Sequence, residues 1–471
     1  MYLAGMDIGT TGCKVTVYTE EGRHCLTEYR EYDANARPNE MNAETILSSV
    51  GQAIAAASAV YEIGALGVTS FGETFVLLDE ADRILYPSLL YSDPRGSEEL
   101  SLFDEAETSA IAGTKPAFLY GLPKLAWIKR NKPEIFRQVK RVLFMQDFII
   151  YMLTGNAQID YTVATRSMAF SIAEKRFSQI LLGHAGIDAS LFSKPVPPGT
   201  VAGRSSRFGL KNAFIVNGCH DQIASLLGAG ITKPGGAADG IGTVECITPL
   251  FQGIPQARAF YADSYAAIPF PTDGLYATYA YNFSGGASLK WYRNQFLSCS
   301  YAEADAAVRP DVPTGLLFLP YLAGAATPYM DEKATGAVIG LTCNTDRATL
   351  YQAVMEGTGY EMMVNLERLK KYGINVSALR ATGGGAKSKK WLQMKANMLN
   401  LPITTLCADE VGAAGTVMLT GQAIGVYRDL EEAKDVLVRE KEVFLPSPSA
   451  AAQYREQFLR YGKIYDAIKT I

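Results

Sequence analysis

Residues 7–14 read DIGTTGCK and residues 240–247 read GIGTVECI, so an Ile-Gly-Thr segment recurs in the two halves of the chain. In the first copy an apolar run leads into the motif and an alternating run from Lys14 to Tyr18 leads out of it, which is the pattern of two strands joined by a tight turn. The second copy stands in the same context. The recurrence predicts two related α/β halves that face each other, although three shared letters alone are a short repeat.

Helix and strand signals extend outward from both copies. Asn42 is a candidate N-cap for a helix from Ala43 to Ser58, whose apolar residues recur at helical spacing. A Lys-Pro-Gly-Gly break at 233–236 separates the halves, so we expect domains at residues 1–233 and 234–471. Further predicted elements are strands at 66–70, 75–78, 214–216 and 379–382 and helices at 122–130, 144–153 and 347–372.

Composition favours a globular protein that acts on small molecules. The chain has 471 residues, of which 48% are hydrophobic and 20% charged, and its formal net charge is −4. This charge gives no general attraction to nucleic acid or to anionic membranes. We find neither a targeting segment nor an apolar run long enough for a membrane helix, and the seven cysteines form no metal-binding or disulfide pattern. We therefore expect a cytoplasmic protein.

The first Gly/Thr turn is a candidate phosphate site. Its backbone N–H groups and the hydroxyls of Thr10 and Thr11 suit an anion, and Asp7 at its edge suits Mg²⁺, which keeps much of its water and takes few carboxylates. An ordinary hairpin is the alternative, and the Walker pattern GxxxxGK[ST] does not occur in the sequence.

Two further glycine-rich turns lie in the second half. The turn GIGTV at 240–244 is a candidate for a second phosphate contact. The turn GGGAKS at 383–388 stands between a strand and a predicted helix, where glycines permit the backbone to approach a nucleotide closely. A plain strand-to-helix turn is the alternative, but such a turn seldom needs three successive glycines.

The segment NGCHDQ at 217–222 supplies a candidate catalytic base. Asp221 follows an apolar strand, and a carboxylate at a strand end can take the proton of a hydroxyl nucleophile. A Ser-His-Asp hydrolase that uses His220 is the alternative. We expect the side chains of His220 and Asp221 to point to opposite faces of a strand, and no GxSxG motif is present, so the sequence argues against the hydrolase.

Glu73, within TSFGETFVLLDE at 69–80, is a candidate substrate ligand. A carboxylate can accept hydrogen bonds from two neighbouring hydroxyls, as the recognition of a sugar or polyol requires. A solvated loop glutamate is the alternative.

Taken together, the sequence resembles the FGGY carbohydrate kinases, and the resemblance runs almost from end to end. It rests on DIGTTGCK, LPKLAWIKRNKPEIF at 122–136, YMLTG at 151–155, GCHDQ at 218–222, GGASLKW at 285–291 and GAVIGLTCNTDRATLYQAVMEG at 336–357. The last of these is similar to the C-terminal signature of the family, with Thr349 at a position where another polar residue is usual.

The resemblance implies two actin-like, ribonuclease H-like α/β domains with a cleft between them, which closes around sugar and ATP. By motif position, Asp221 is implied as the catalytic base, and Asp7 and Asp221 as the residues near Mg²⁺. The implied substrate-binding residues are Gly72, Glu73, Asp221 and Gln222. The implied ATP-binding residues are Thr10, Thr11, Lys14, Gly242, Thr243, Gly286, Lys290, Gly384, Gly385 and Lys389.

The resemblance indicates the substrate less closely. Gly72 and Glu73 stand where xylulokinases carry Met-His and glycerol kinases carry Arg-Glu. We expect the carboxylate of Glu73 to repel an acid sugar, so that a neutral ketopentose such as xylulose is favoured over gluconate. A kinase of glycerol or another polyol is the nearer alternative, and an actin- or chaperone-like ATPase module without a sugar substrate is the more distant one. Whether the chain forms a homodimer is left open.

Overall fold

The structure is a computed structural model, and it describes residues 1–407 and 410–469. The helices within these residues are α1 (Ala43–Val60), α2 (Glu105–Ala112), α3 (Gly121–Asn131), α4 (Pro133–Phe136), α5 (Met145–Thr154), α6 (Tyr161–Thr165), α7 (Gln179–Ala185), α8 (Asp221–Gly228), α9 (Arg258–Ala262), α10 (Gly285–Phe296), α11 (Tyr301–Ala306), α12 (Arg347–Lys371), α13 (Lys389–Leu399), α14 (Val411–Ala423), α15 (Leu430–Leu437), α16 (Pro448–Tyr461) and α17 (Ile464–Ile468).

The strands in the same part of the chain are β1 (Tyr2–Ile8), β2 (Gly12–Thr19), β3 (His24–Glu31), β4 (Asn35–Arg37), β5 (Glu40–Met41), β6 (Ile63–Ser70), β7 (Phe75–Leu78), β8 (Ser88–Leu89), β9 (Arg141–Phe144), β10 (Gln158–Asp160), β11 (Phe170–Ser171), β12 (Arg176–Phe177), β13 (Lys194–Val196), β14 (Val201–Ser205), β15 (Ala213–His220), β16 (Gly236–Ile241), β17 (Glu245–Gln252), β18 (Ile268–Pro269), β19 (Leu275–Ala277), β20 (Ala280–Asn282), β21 (Leu317–Leu319), β22 (Ala337–Ile339), β23 (Ala378–Thr382), β24 (Ile403–Leu406) and β25 (Glu440–Phe444).

The first large sheet has the strand order β14-β15-β6-β1-β2-β3. Strands β1, β2 and β3 form an antiparallel meander, whereas β1, β6 and β15 run parallel. Ile8 and His220 both pair with Ser70, so the carboxyl ends of the three parallel strands meet at one edge. Segments that follow these strands are therefore brought together, as in other open α/β sheets.

The second large sheet repeats this arrangement. Its order is β18-β19-β17-β16-β23-β24-β25, with β16 antiparallel to β17 and parallel to β23, and with β23 parallel to β24. The strands β16, β17, β23 and β24 thus correspond to β1, β2, β6 and β15. The predicted repeat is confirmed, because DIGTTGCK and GIGTVECI occupy equivalent turns of equivalent hairpins.

The element predictions agree closely with the structure. The side chain of Asn42 caps α1 by accepting hydrogen bonds from the backbone N–H groups of Glu44 and Thr45. The predicted long helix at 347–372 is α12, and the predicted strand at 75–78 is β7. The mixed α/β class is confirmed.

Helices α8 and α14 pack against each other between the two sheets. Glycines permit this contact, because a β-carbon on Gly228 would overlap the carbonyl oxygen of Val411 and one on Gly415 would overlap that of Ala224. Around the two helices lies one apolar cluster, which combines side chains from the first sheet, the second sheet and α14; it includes Leu3, Ala65, Leu227, Leu250 and Val417.

Apolar packing also crosses the predicted domain boundary at residue 233. Phe260 and Tyr265 lie in one cluster with Leu122 and Phe170, and α14 rests on β1 and β6 although it lies late in the sequence. The division into residues 1–233 and 234–471 stays a prediction.

Within the described ranges, no helix is both long and apolar enough to cross a membrane.

Candidate active site

The junction of β15 and α8 presents the candidate base. His220 is the last residue of β15 and Asp221 is the first of α8. The backbone N–H of His220 donates to Thr162 Oγ1 at 2.7 Å, and that hydroxyl donates to Asp160 Oδ1 at 2.6 Å. Asp160 and Thr162 are completely buried. This chain of hydrogen bonds fixes the end of the strand, and with it the position at which Asp221 enters the cleft.

The predicted orientation of His220 and Asp221 is wrong. Because the strand ends at His220 and a helix begins at the next residue, the alternation of a strand no longer applies. His220 Nδ1 lies 3.3 Å from Asp221 Oδ1 and 2.8 Å from the hydroxyl of Tyr279. Burial, and then the nearby charge of Arg166, lower the pKa of His220 to about 3, so the imidazole is neutral at pH 7.

Asp221 is held close to other acidic groups. Burial, and then the charges of Asp7 and Glu73, raise the pKa of its carboxyl to about 8. One carboxylate oxygen accepts the backbone N–H of Gln222 at 2.6 Å, while the side chain remains 33% exposed. A carboxyl whose pKa lies near neutrality can both take up and release a proton at working pH, which suits a general base.

Glu73 forms a buried ion pair that the sequence analysis did not foresee. Arg166, which follows α6, donates from both Nε and Nη2 to Glu73 Oε1, with the Nε contact at 2.7 Å. Glu73 is 8% exposed and Arg166 is 7% exposed, so Glu73 is not a solvated loop residue. Burial alone would raise the pKa of Glu73, but the charge and hydrogen bonds of Arg166 hold it below its usual value.

This pair corrects the charge argument about substrate. The expected repulsion of an acid sugar assumed an unpaired carboxylate, whereas the charge of Glu73 is neutralised by Arg166. The charge of Glu73 by itself therefore does not discriminate against an acid sugar.

The first Gly/Thr turn is closed by its own backbone. Gly9 N–H donates to the carbonyl oxygen of Gly12 at 2.9 Å, and Thr11 is exposed while Thr10 is half-buried. Asp7 is partly exposed at the end of β1, and burial raises the pKa of its carboxyl. The turn thus presents its hydroxyls beside a carboxylate, at the same sheet edge as Glu73 and Asp221.

Lys14 lies opposite Asp7 on β2, as the register requires. Its Nζ donates to Glu410 Oε2 at 2.6 Å, and Asp7 Oδ2 is 3.9 Å away. Lys14 thus links the first turn to the residue that precedes α14, and its predicted contact with ATP stays a prediction.

The second turn is joined to the start of α10. The backbone N–H groups of Gly286 and Ala287 donate to the carbonyl oxygens of Gly242 and Thr243 at 2.8 and 3.1 Å. A β-carbon on Gly286 would lie 2.6 Å from Gly242 O, so glycine is needed at that position. Gly242 and Thr243 are exposed.

The third turn packs directly on the second. Gly383 has a φ of 84°, and a β-carbon there would lie 2.8 Å from Ile241 O, while one on Gly385 would overlap the side chain of Ile241. Gly384 has open space where its β-carbon would be. Five of the predicted ATP-binding residues therefore lie together at one edge of the second sheet: Gly242, Thr243, Gly286, Gly384 and Gly385.

Two predicted nucleotide contacts are surface lysines. Lys290 is exposed on α10. Lys389 at the start of α13 is also exposed, and its Nζ lies 2.9 Å from Glu442 Oε2. Gln222 on α8 is exposed as well. The roles of these three residues stay predictions.

A buried charge cluster supports the second turn from beneath. Lys395 on α13 contacts Asp239 Oδ2 at 2.7 Å and Glu245 Oε1, and all three residues have no exposed surface. Asp239 precedes the turn at 240–244 and Glu245 follows it. The lysine therefore ties together the two strands that hold this turn.

Sequence reasoning missed Arg166, Tyr279 and Lys395. Arg166 and Lys395 lie far along the chain from the carboxylates that they bind, and no local motif marks them. One general signal applies: an acidic side chain enclosed in a folded protein needs a cation as a partner, and that cation can come from a distant element.

Comparison with known proteins agrees with the fold. Residues 2–228 match the N-terminal domain of the FGGY family of carbohydrate kinases, and residues 259–424 match its C-terminal domain. The chain is 26% identical to the xylulose kinase of Bacillus subtilis, over 100% of this chain and 98% of that protein. It is 26% identical to the L-xylulose/3-keto-L-gulonate kinase of Escherichia coli, with 99% and 97% covered.

The crystal structure of a xyloylose kinase from Brucella ovis is similar over 100% of both chains, with a TM-score of 0.93 and 26% identity. The two-domain arrangement with a cleft, expected from the sequence, is thereby confirmed.

Proposed function

Since the chain belongs to the FGGY family of carbohydrate kinases and is an ATP-dependent sugar kinase, we propose that it phosphorylates a neutral ketopentose such as xylulose, with Asp221 as the catalytic base. Family membership confirms the predicted reaction class over the alternative of an ATPase module without a sugar substrate. The identity of the sugar and the role of each residue are our proposals.

The placement of Asp221 carries the catalytic proposal. Its carboxyl has a pKa of about 8, raised by burial and by the neighbouring charges of Asp7 and Glu73. It stands at the edge where the first turn and the Glu73 segment also end. A sugar hydroxyl that reaches this point would meet a proton acceptor beside a phosphate-binding turn.

The proposed step is direct phosphoryl transfer. Asp221 takes the proton of the substrate hydroxyl while that oxygen bonds to the γ-phosphorus, and the bond from phosphorus to the bridging oxygen of ADP breaks. Gly242, Thr243 and Gly384 offer exposed backbone at the opposite turn for the phosphates of ATP. Most of the catalytic effect in such a site comes from positioning and electrostatic stabilisation.

The donor set at the cleft fits Mg²⁺. Asp7 and Asp221 are carboxylates close enough for the charge of Asp7 to raise the pKa of Asp221, so a divalent cation beside them would be stabilised. Asp7 would hold the ion, with Asp221 nearby. When bound, Mg²⁺ would neutralise charge on the phosphates.

The names of the curated relatives support xylulose as the first substrate to test. One relative is named for both L-xylulose and 3-keto-L-gulonate, which is an acid sugar, so neutral ketoses and acid sugars need to be compared directly. The experiment is a panel of ketopentoses, pentitols, glycerol and sugar acids, read by ADP release and by mass spectrometry of the product. A clear preference for glycerol or for a sugar acid would refute the ketopentose proposal.

The base is tested by Asp221→Asn. We expect sugar phosphorylation to fall by at least about 100-fold, because a positioned base contributes on that scale, while ATP binding is retained. A matched control is Asp147→Asn, since Asp147 is fully buried in the same lobe, accepts a hydrogen bond from Ser193, and has a pKa raised by burial. Near-normal turnover in Asp221→Asn would show that another group takes the proton.

A further inference from the structure

The ion pair between Arg166 and Glu73 leaves one donor edge and one acceptor atom unused. Both Nε and Nη2 of Arg166 bind the same oxygen, Oε1 of Glu73. Among the residues that the structure describes, no hydrogen bond with a second residue engages Arg166 Nη1 or Glu73 Oε2. Both side chains are about nine-tenths buried, but neither atom is completely enclosed, so a ligand in the cleft can reach both. Polar atoms in such a position normally have partners.

The surroundings hold the guanidinium in this orientation. Its carbon lies 5.0 Å from the ring centre of Tyr120 and 5.6 Å from that of Tyr279, which places it beside two aromatic rings. The backbone carbonyl of Arg166 accepts a hydrogen bond from Gly121 N–H at 3.3 Å. These contacts from several elements restrain the orientation of the Arg166 side chain.

Gly72 makes the space that the Arg166 side chain occupies. A β-carbon on Gly72 would lie 2.5 Å from Arg166 Cγ and 2.6 Å from His220 Cδ2. Any other residue at position 72 would collide with the arginine, with the imidazole beside Asp221, or with both. The glycine, the arginine and the glutamate thus form one arrangement next to the proposed base.

We propose that Arg166 is a specificity-determining residue, which binds with Glu73 the hydroxyketone end of the substrate. Arg166 Nη1 donates to the ketone oxygen, and Glu73 Oε2 accepts the hydrogen of the adjacent hydroxyl. This inference rests on the proposed function, and it adds the part of the sugar that is recognised and the residue that recognises it.

The chemistry of the pair selects this group. A ketone oxygen can only accept, and a neighbouring hydroxyl can donate, which matches one N–H beside one carboxylate oxygen. A carboxylate substrate could dock on the remaining Nη1/Nη2 edge, but it has no hydrogen to donate to Glu73 Oε2 and would leave that atom without a partner.

The test compares a ketopentose with the pentitol that has a hydroxyl in place of its ketone. In Arg166→Lys the charge remains but the fixed fork is lost. We expect kcat/KM for the ketopentose to fall at least about tenfold, as the loss of a charge-assisted hydrogen bond requires, and the ratio of ketopentose to pentitol activity to fall by a similar factor. The KM for ATP should change by less than about twofold.

Two further variants keep the test decisive. Gly72→Ala should displace Arg166 without removing it, and should lower the same ratio even if Arg166→Lys folds poorly. Arg95→Lys is the matched control, because Arg95 also forms ion pairs within the first lobe, with Asp93 at 2.6 Å and Glu40 at 2.8 Å. It should leave the ratio unchanged.

The outcomes separate the two proposals. If wild-type protein phosphorylates a ketopentose but the ratio is unchanged in both Arg166→Lys and Gly72→Ala, the role of Arg166 is refuted and the proposed function stands. If the wild-type protein prefers a sugar acid, the recognition of a hydroxyketone is refuted as well. If it phosphorylates no ketopentose, the proposed function itself fails.

Discussion

Replacing Lys395 by methionine should destabilise the protein in a way that depends on pH. Lys395 Nζ is the cation between Asp239 and Glu245, and none of the three residues is exposed to solvent. Methionine fills a similar volume but leaves two carboxylates facing each other in the interior. Breaking a buried ion pair by removing one partner typically costs about 3–5 kcal/mol.

The magnitude follows from the proton that the interior would then take up. Burial raises the pKa of Glu245 to about 7 while the lysine is present, so the native wild type already takes up part of this proton; without the lysine one carboxyl should be fully protonated in the native state at pH 7. Protonating a group with an ordinary value of 4.5 costs about 3 kcal/mol at pH 7 and less than about 1 kcal/mol at pH 5, at 1.36 kcal/mol per pH unit. Because the native variant then binds more protons than the unfolded chain, its free energy of unfolding falls as pH rises.

The assay is urea unfolding of wild type and Lys395→Met at pH 5, 6 and 7. Lys124→Met is the matched control, since Lys124 is also fully buried but its Nζ donates to the carbonyl oxygens of Asp93 and Phe118 at 2.7 and 2.5 Å. Burial lowers the pKa of Lys124 to about 8, so it stays charged in both states between pH 5 and 7 and its loss should show no slope there. A loss in Lys395→Met that is below about 1 kcal/mol at pH 7, or a free energy of unfolding of the variant that does not fall from pH 5 to pH 7, would refute the reasoning.

Two other predictions test burial elsewhere. Burial raises the pKa of Glu361 to about 7 despite two tyrosine hydroxyls that donate to it, so its native form holds a proton that the unfolded chain releases above about pH 4.5. Glu361→Gln should therefore flatten the fall in unfolding free energy between pH 5 and 7 by roughly 3 kcal/mol at most, measured by denaturation across that range, and an unchanged slope would contradict it. Gly415→Ala should destabilise the protein by about 1–3 kcal/mol or more in the same assay, because its methyl group would overlap the Ala224 carbonyl. The matched control for Gly415→Ala is Gly183→Ala in α7, where no atom lies within 4 Å of the added carbon, and it should be neutral or stabilising by up to about 1 kcal/mol.

Much of the fold could be predicted because its signals are local. The N-cap at Asn42, the periodicity of α12 and the strand, turn, strand pattern at 7–14 each depend on residues near one another in sequence. The packing of α14 on β1 and β6 could not be predicted in this way. This packing depends on the close backbone contact between α8 and α14. The sequence shows only small residues where the two helices touch, and small residues do not identify their partner.

The same distinction separates the parts of the site. The three glycine-containing turns and Asp221 were predicted because turns and strand ends have short sequence patterns. The neutral state of His220 was not predictable, since it arises from burial and from the charge of Arg166. The wrong orientation expected for His220 and Asp221 came from extending a strand by one residue, which is the usual uncertainty of an element boundary.

The pairing of Glu73 also limits what a motif alone can reveal about substrate. As a free carboxylate, Glu73 would favour neutral over acid sugars through its single charge. In the folded protein the relevant unit is the Arg166–Glu73 pair, which is neutral overall and presents one free donor edge and one free acceptor atom. Its selectivity would come from the direction of hydrogen bonds, because a buried polar group left without a partner costs about 1–3 kcal/mol. If Arg166 selects the substrate as proposed, position 72 would influence that choice through the volume that its glycine leaves for the arginine.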